Sequence, residues 1–256
     1  MAVRIKNVLS IAPLSLALLT ASPLTSVQGQ QGTTVNDGDW NTYYGGDWAH
    51  RYSPLDQINA DNVSELELAW SFSTENFGTT VDYANPSTPL EINGVLYANI
   101  ANTRNVVALD ATSGQVLWLY RYDEGDRYDE APRKGPGRGV AFYSKGDKQR
   151  VIDISPGYQM VSLDAETGIP DPEFGENGIV DLYQGLRNAD DPRYPYPDIG
   201  ISAPPFVMND VIVVGAAHRT GGRPRSKFNT KGDIRGFDVH SGELLWTFHT
   251  IPEAGE

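Results

Sequence analysis

Val107-Ala108-Leu109-Asp110-Ala111-Thr112-Ser113-Gly114 runs on through Gln115-Val116-Leu117 to Trp118, and this phrase returns twice. The second copy is Val161-Ser162-Leu163-Asp164-Ala165-Glu166-Thr167-Gly168. The third is Arg235-Gly236-Phe237-Asp238-Val239-His240-Ser241-Gly242, which runs on to Trp246. Internal repetition is decisive for fold, because each repeat marks one supersecondary unit. Each copy has the chemistry of a β-hairpin. A β-rich run ends in Asp, Ser or Thr follows, and Gly supplies the positive φ that lets the chain return. The Asp and Ser/Thr side chains can accept and donate bonds to the turn's own backbone. The tryptophan then falls on the outgoing strand, where a large flat ring can wedge between neighbouring units.

Around these phrases a regular unit emerges. Asn93-Gly94 turns into a strand at Val95–Ala98, followed by strands at Asn105–Asp110 and Val116–Tyr120. Val151–Ile154 and Gln159–Asp164 repeat the middle pair. Val211–Val214, Ile234–Val239 and Leu244–Phe248 repeat it again. The aspartates are 54 and 74 residues apart (164 − 110 and 238 − 164), near or above the ~40–50 residues of common propeller blades. The expected fold is all-β: a partial β-propeller of about three four-stranded blades. A β-sandwich is the alternative, but it does not explain a repeated turn-plus-Trp phrase. Leu68–Phe72 reads as an orphan strand, the last of a unit whose other strands are not adjacent in sequence. Asn59 is a plausible N-cap for a short helix from Ala60 to about Leu66. Closed propellers need about 4–8 blades, so the chain reads as the N-terminal part of a longer ring.

Bulk properties narrow the function. The 256 residues carry a net charge of −13, which argues against nucleic acid, since a polyanion calls for a basic face. There are no cysteines, hence no disulfide, thiolate metal site or attached c-type haem in this stretch. Arg4 and Lys6 precede an apolar run, Val8 to Leu19, and then small residues, as in a secretory signal. The expected organisation is a signal peptide at 1–29, a linker at 30–38 within the polar stretch 22–38, and a propeller portion at 39–256. The expected location is the periplasm, with membrane association open.

Loops, not blades, usually carry function in such a fold. One insertion, Arg121 to Arg138, delivers Arg138-Gly139-Val140-Ala141-Phe142-Tyr143 to an inner strand. A guanidinium near the axis suits bidentate binding of carboxylates, with an ordinary salt bridge in a solvated loop as the alternative. A second insertion, Tyr183 to Ile201, leads into Ser202-Ala203-Pro204-Pro205. Ser202 can donate to an acidic ligand or simply stabilise a turn. The basic stretch His218 to Lys231 can attract an anion or form a Gly-rich surface loop. His50, His218, His240 and His249 lack the spacing of a zinc site. Asp110, Asp164 and Asp238 share a turn context, which makes them structural and not catalytic. Gly135-Pro136-Gly137-Arg138-Gly139 lacks the strand-before, helix-after setting of a dinucleotide loop.

The repeat Asp-x-x-Ser/Thr-Gly-x-x-x-Trp resembles the tryptophan-docking motif of quinoprotein dehydrogenases, which use pyrroloquinoline quinone (PQQ). The run Tyr44-Gly-Gly-Asp47, Arg51-Tyr-Ser-Pro-Leu-Asp-Gln-Ile58 and Leu68-Ala69-Trp70 is similar to the opening segment of that family, and the resemblance spans Asp39 to Glu256. It is nearest to the quinoprotein glucose dehydrogenase branch. The resemblance implies oxidation of an alcohol or aldose hydroxyl. Hydride would pass to the C5 carbonyl of the quinone, aided by a divalent cation, usually calcium, and an aspartate base. Electrons would leave to a respiratory acceptor, a quinone or cytochrome. By motif position Arg138 resembles an arginine that contacts the quinone's carboxylates, and Ser202 lies near further cofactor contacts. Two departures stand out. Relatives often carry a glutamate three residues before the proline that opens the first blade, where this chain has Pro86. The alcohol-oxidising branch often has adjacent cysteines, absent here, which favours a sugar or polyol. The family's catalytic aspartate comes from later blades, so no catalytic residue is assigned, the metal ligands are unknown, and this stretch alone is expected to be inactive. The competing reading is a non-enzymatic PQQ-repeat propeller scaffold used in envelope protein assembly.

Overall fold

The computed structural model describes residues 2–4, 38–46, 49–78, 80, 84–190, 192, 195–219, 226–253 and 255. Two short strands come first, β1 (Ala2–Arg4) and β2 (Glu67–Trp70), paired antiparallel. The first blade holds β3 (Leu90–Ile92), β4 (Val95–Ile100), β5 (Asn105–Asp110) and β6 (Val116–Tyr120) in consecutive order. The second holds β7 (Ala141–Lys145), β8 (Lys148–Ile154), β9 (Gln159–Asp164) and β10 (Ile179–Asp181). The chain then passes β11 (Ile199–Gly200) into the third blade: β12 (Phe206–Met208), β13 (Val211–Val214), β15 (Ile234–Asp238) and β16 (Leu244–Phe248). Between β13 and β15, β14 (Ala217–His218) pairs with β11. The expected three four-stranded blades and orphan strand are thus present.

Period-two patterning explains the stacking. On β5, Val106 and Ala108 face the second blade, while Val107 and Leu109 face Trp70, Phe72 and Phe77. On β8, Val151 joins the core shared with the first blade and Ile152 and Ile154 join the core shared with the third. Both faces of the second blade are therefore buried, as in a wedge between two wedges. The outer face of the third blade is not. Leu244, Leu245, Trp246 and Phe248 on β16 are all exposed.

The hairpin phrase forms as its chemistry dictates. Asp110 Oδ1 accepts from the backbone N–H of Ser113 at 2.7 Å and from its hydroxyl at 2.7 Å. Asp164 does the same with Thr167 and Asp238 with Ser241. The tryptophan niches were expected at Trp118 and Trp246, and here the structure differs. The matched pair is Trp70 and Trp118. Trp70 Nε1 donates to Ala111 O at 3.1 Å and its ring lies over Gly114. Trp118 Nε1 donates to Ala165 O at 2.9 Å and its ring lies over Gly168. Trp246 keeps the strand position, since Gly236 pairs with Trp246 as Ala108 pairs with Trp118, with the same bulge after each. It is 42% exposed, because among the described residues nothing supplies the next hairpin.

The expected helix at Ala60–Leu66 shrinks to a 3-10 turn, Val63–Glu65, preceded by Asn62, whose side chain makes no cap bond. Asn59 spends its side chain on Asp61 N–H, an Asx turn in place of an α-helical cap. A short helix not anticipated from sequence, α1 (Asp126–Glu130), sits inside the first insertion. Of the expected signal and linker segments, only Ala2–Arg4 and Gly38 fall within the described residues, and 220–225 of the basic stretch also lie outside them.

Candidate functional site at the hub

The first strands β7 and β12 of neighbouring blades approach each other, so the first strands line the hub. Between them lies a cavity of about 160 Å³. Its walls come from the start of β7, from Ala203–Val207 leading into β12, and from Asn41–Gly46 laid across them. Trp40 anchors that N-terminal segment by bridging Glu91 on β3. The lining is largely aromatic and proline: Tyr43, Tyr44, Phe142, Pro204, Pro205 and Phe206. The volume is below the ~300 Å³ at the lower end of typical small-molecule pockets.

Arg138 lines this cavity and is exposed. Among the described residues no carboxylate pairs with its guanidinium. Its backbone is held on both sides. Thr88 N–H donates to Arg138 O at 2.9 Å, and Gly139 N–H donates to the Asn99 Oδ1 at 3.1 Å. Gly139, at φ 142°, has the Thr88 carbonyl where a Cβ would go, 2.9 Å away. Only glycine permits both that dihedral and that approach. The glycine after Arg138 therefore lets the backbone at this point lie close against the first blade.

The insertion that carries Arg138 is tied to the second blade at several points. Tyr122 OH donates to Asp153 Oδ2 at 3.0 Å, and Glu124 accepts from Ser155 Oγ at 2.6 Å and Gly157 N–H at 3.0 Å. Arg127 donates to Gly157 O at 2.6 Å, pairs with Asp181 at 2.5 Å and stacks 4.2 Å over Tyr183. Burial raises the carboxyls of Glu124 and Asp153, the latter to about 6, with Arg104 opposing the rise at both. The second insertion is clamped by a bidentate Arg187–Asp233 pair at 2.8 and 2.6 Å.

Ser202 sits half-buried next to the cavity but does not line it; its neighbour Ala203 does. The structure therefore brings Arg138 and the Ser202 segment to one hub-facing site, with Arg138 alone reaching the cavity. Tyr43, Tyr44 and Phe142 complete it. Tyr43 was given no role from sequence and Tyr44 stood only within the family-like opening segment, while β7 hides Phe142 among core residues. Asp110, Asp164 and Asp238 lie in hairpin turns, away from this site. His218 Nδ1 lies 3.2 Å from Asp198 O, and His240 contacts Tyr143 and Arg150 between the second and third blades. Among the described residues no group of three or more His, Asp or Glu side chains could hold a metal ion. Among them, too, no helix is long and apolar enough to cross a membrane.

Comparison with known proteins gives a concordant picture. Residues 40–256 match the family described as PQQ: glucose/ethanol/alcohol dehydrogenase, β-propeller domain. The chain is 30% identical over 237 residues to the glycerol dehydrogenase large subunit of Gluconobacter thailandicus, covering 89% of this chain and 30% of that one. It is 31% identical over 229 residues to the quinoprotein glucose dehydrogenase of Escherichia coli strain K12, covering 84% and 27%. Among solved structures, the quinohemoprotein alcohol dehydrogenase from Comamonas testosteroni superposes with a TM-score of 0.62 at 25% identity, covering 85% and 28%. The chain spans about 30% of the length of the curated relatives it matches. Relatives named for glycerol and for glucose stand at nearly equal identity.

Proposed function

Because this chain belongs to the PQQ glucose/ethanol/alcohol dehydrogenase β-propeller family, we propose that it forms the arginine-bearing wall of a PQQ site serving oxidation of a sugar or polyol hydroxyl. The observation that carries this reading is the Arg138 guanidinium, which among the described residues pairs with no carboxylate, on a cavity with aromatic and proline walls at the hub. PQQ is a planar polycarboxylate, and these residues fit it. The guanidinium offers a two-pronged donor to a carboxylate, and flat side chains offer faces and edges to a ring system. When bound, the quinone supplies a two-electron acceptor. Arg138 neutralises and orients a carboxylate at a fixed point, because its own backbone is held by Thr88 and Asn99.

The cavity's small volume supports a further point: the described residues supply only part of the enclosure. Among the described residues lining it there is no carboxylate or imidazole, and we assign proton removal from substrate to groups beyond them. The expected calcium ion finds no ligand cluster among the described residues, and no step is assigned to it here. The absence of cysteine supports a sugar or polyol over a simple alcohol. The proposal places the protein in the periplasm, exported by residues 1–29, with electrons leaving to a respiratory quinone or cytochrome. The family match over nearly the whole propeller portion supports the dehydrogenase over a scaffold for envelope assembly.

Tryptophan fluorescence quenching by added PQQ tests the reading. The chain is expected to bind saturably, and Arg138→Leu to bind about tenfold more weakly, the effect of one lost charge-assisted hydrogen bond. Equal binding by Arg138→Leu would overturn the role of Arg138. Dye-linked oxidation of glucose or glycerol by this chain alone would overturn the requirement for further groups.

A further inference from the structure

Arg104 is only 2% exposed, yet among the described residues it makes no direct bond to a carboxylate. It stands in the turn between β4 and β5, at φ 57°, a left-handed conformation unusual for a non-glycine residue. Its guanidinium makes four bonds, all to backbone carbonyls. Nε donates to Gly135 O at 3.2 Å and Nη2 to Arg133 O at 2.7 Å. Nη1 donates to Ile154 O at 2.9 Å and to Ile201 O at 2.7 Å. Burying a cation is costly, and blade packing alone does not call for one. The acceptors explain it. Arg133 and Gly135 belong to the loop that ends in Arg138, and Ile201 precedes Ser202. Gly137, at φ 76°, lies directly against this guanidinium; a Cβ there would fall 2.9 Å from Nε. The charge is balanced at longer range by the buried Asp153, itself bonded to Tyr122.

We propose that Arg104 is the positioning residue of the hub site: one planar fork from the first blade that sets the Arg138 loop and the Ser202 segment at a fixed separation across the second. The inference rests on the PQQ reading for its functional meaning but not for its geometry. Lysine cannot replace it, because one ammonium cannot span four divergent carbonyls.

The test pairs hydrogen exchange with PQQ titration on the full chain and on Arg104→Lys and Arg104→Gln. Both variants are expected to speed amide exchange selectively in residues 133–141 and 199–204, leaving β5, β9 and β15 protected. Both are expected to bind PQQ about tenfold more weakly, the effect of one lost charge-assisted hydrogen bond. Uniformly faster exchange in all blades would mean a merely structural role and would overturn the proposal. So would wild-type exchange in Arg104→Lys, which also decides the matter if Arg104→Gln does not fold. Local loosening with unchanged PQQ affinity would overturn positioning of the cofactor site. A wild-type chain that does not bind PQQ would overturn the PQQ reading, and the exchange pattern alone would then decide whether Arg104 holds the two loops.

Discussion

Trp118 shows how one side chain joins two blades. Its N–H reaches the carbonyl after Asp164 while its ring covers Gly168, so hydrogen bond and packing act at one point. Trp118→Phe keeps most of the packing and loses the bond, and is expected to cost about 1 kcal/mol in urea unfolding. Gly168→Ala is expected to cost about 2 kcal/mol or more, because φ is 70° and the new Cβ would lie 2.6 Å from the indole. Both roles were readable from sequence, since the repeat exposes them; so was the turn-fixing role of the three aspartates. Arg138 was singled out from sequence because the first insertion delivers it to an inner strand, and the structure places it on the cavity between β7 and β12. Arg104 was not singled out, because its acceptors lie roughly 30 to 97 positions away and no local pattern announces a long-range fork. Asp153 was hidden for the same reason. Burial raises its carboxyl to about 6, so the folded chain keeps a proton between about pH 4 and 6 that the unfolded chain releases. Its contribution to stability is therefore full below that window and is lost as the pH rises through 6. Asp153→Asn should abolish this part of the slope in a series of melting temperatures from pH 4 to 7; an unchanged slope would contradict the assignment.

The seam between the second and third blades departs from the repeat. The second copy lacks its tryptophan, because Asp171–Gly178 loops out of the outgoing strand before β10 resumes. Phe174 and Val180 take the indole's place over Gly242. Arg150 takes its hydrogen bond, donating to Val239 O at 3.3 Å, the carbonyl equivalent to Ala111 O and Ala165 O. This cation is paired with Asp171, and both side chains are largely buried. Arg150→Met leaves Asp171 buried without its partner and is expected to cost about 3 kcal/mol or more, whereas adding Asp171→Leu should recover much of that loss. Equilibrium unfolding of the single and double variants measures both. The sequence shows why the strand was not foreseen: Ile169-Pro170-Asp171-Pro172 breaks the alternation that marked β6 and β16. The helix expected at 60–66 failed on a similar point, since Asn59 and Asn62 offer local turn bonds that compete with an α-helical start.

Taken whole, the described residues form an arc of three wedges, and Trp246 on β16 lacks the cover that a neighbouring hairpin gives Trp70 and Trp118. There Leu244, Leu245, Trp246 and Phe248 stand exposed together, an arrangement that invites association. The chain is expected to self-associate at micromolar concentration, and Leu245→Lys with Trp246→Glu to shift it toward monomer in sedimentation velocity; an unaltered distribution would contradict this. The repeat foretold a partial propeller of about three four-stranded blades. It did not foretell how the two insertions tie into the blades, because those ties are long-range ion pairs and carbonyl bonds. The central claim, that Arg138 recognises a carboxylate of PQQ at the hub, is tested most directly by a cycle of binding measurements with PQQ and its trimethyl ester. The account predicts that the wild-type chain prefers the free acid by about tenfold or more and that Arg138→Leu loses this preference. Equal affinity of the wild-type chain for acid and ester would contradict it.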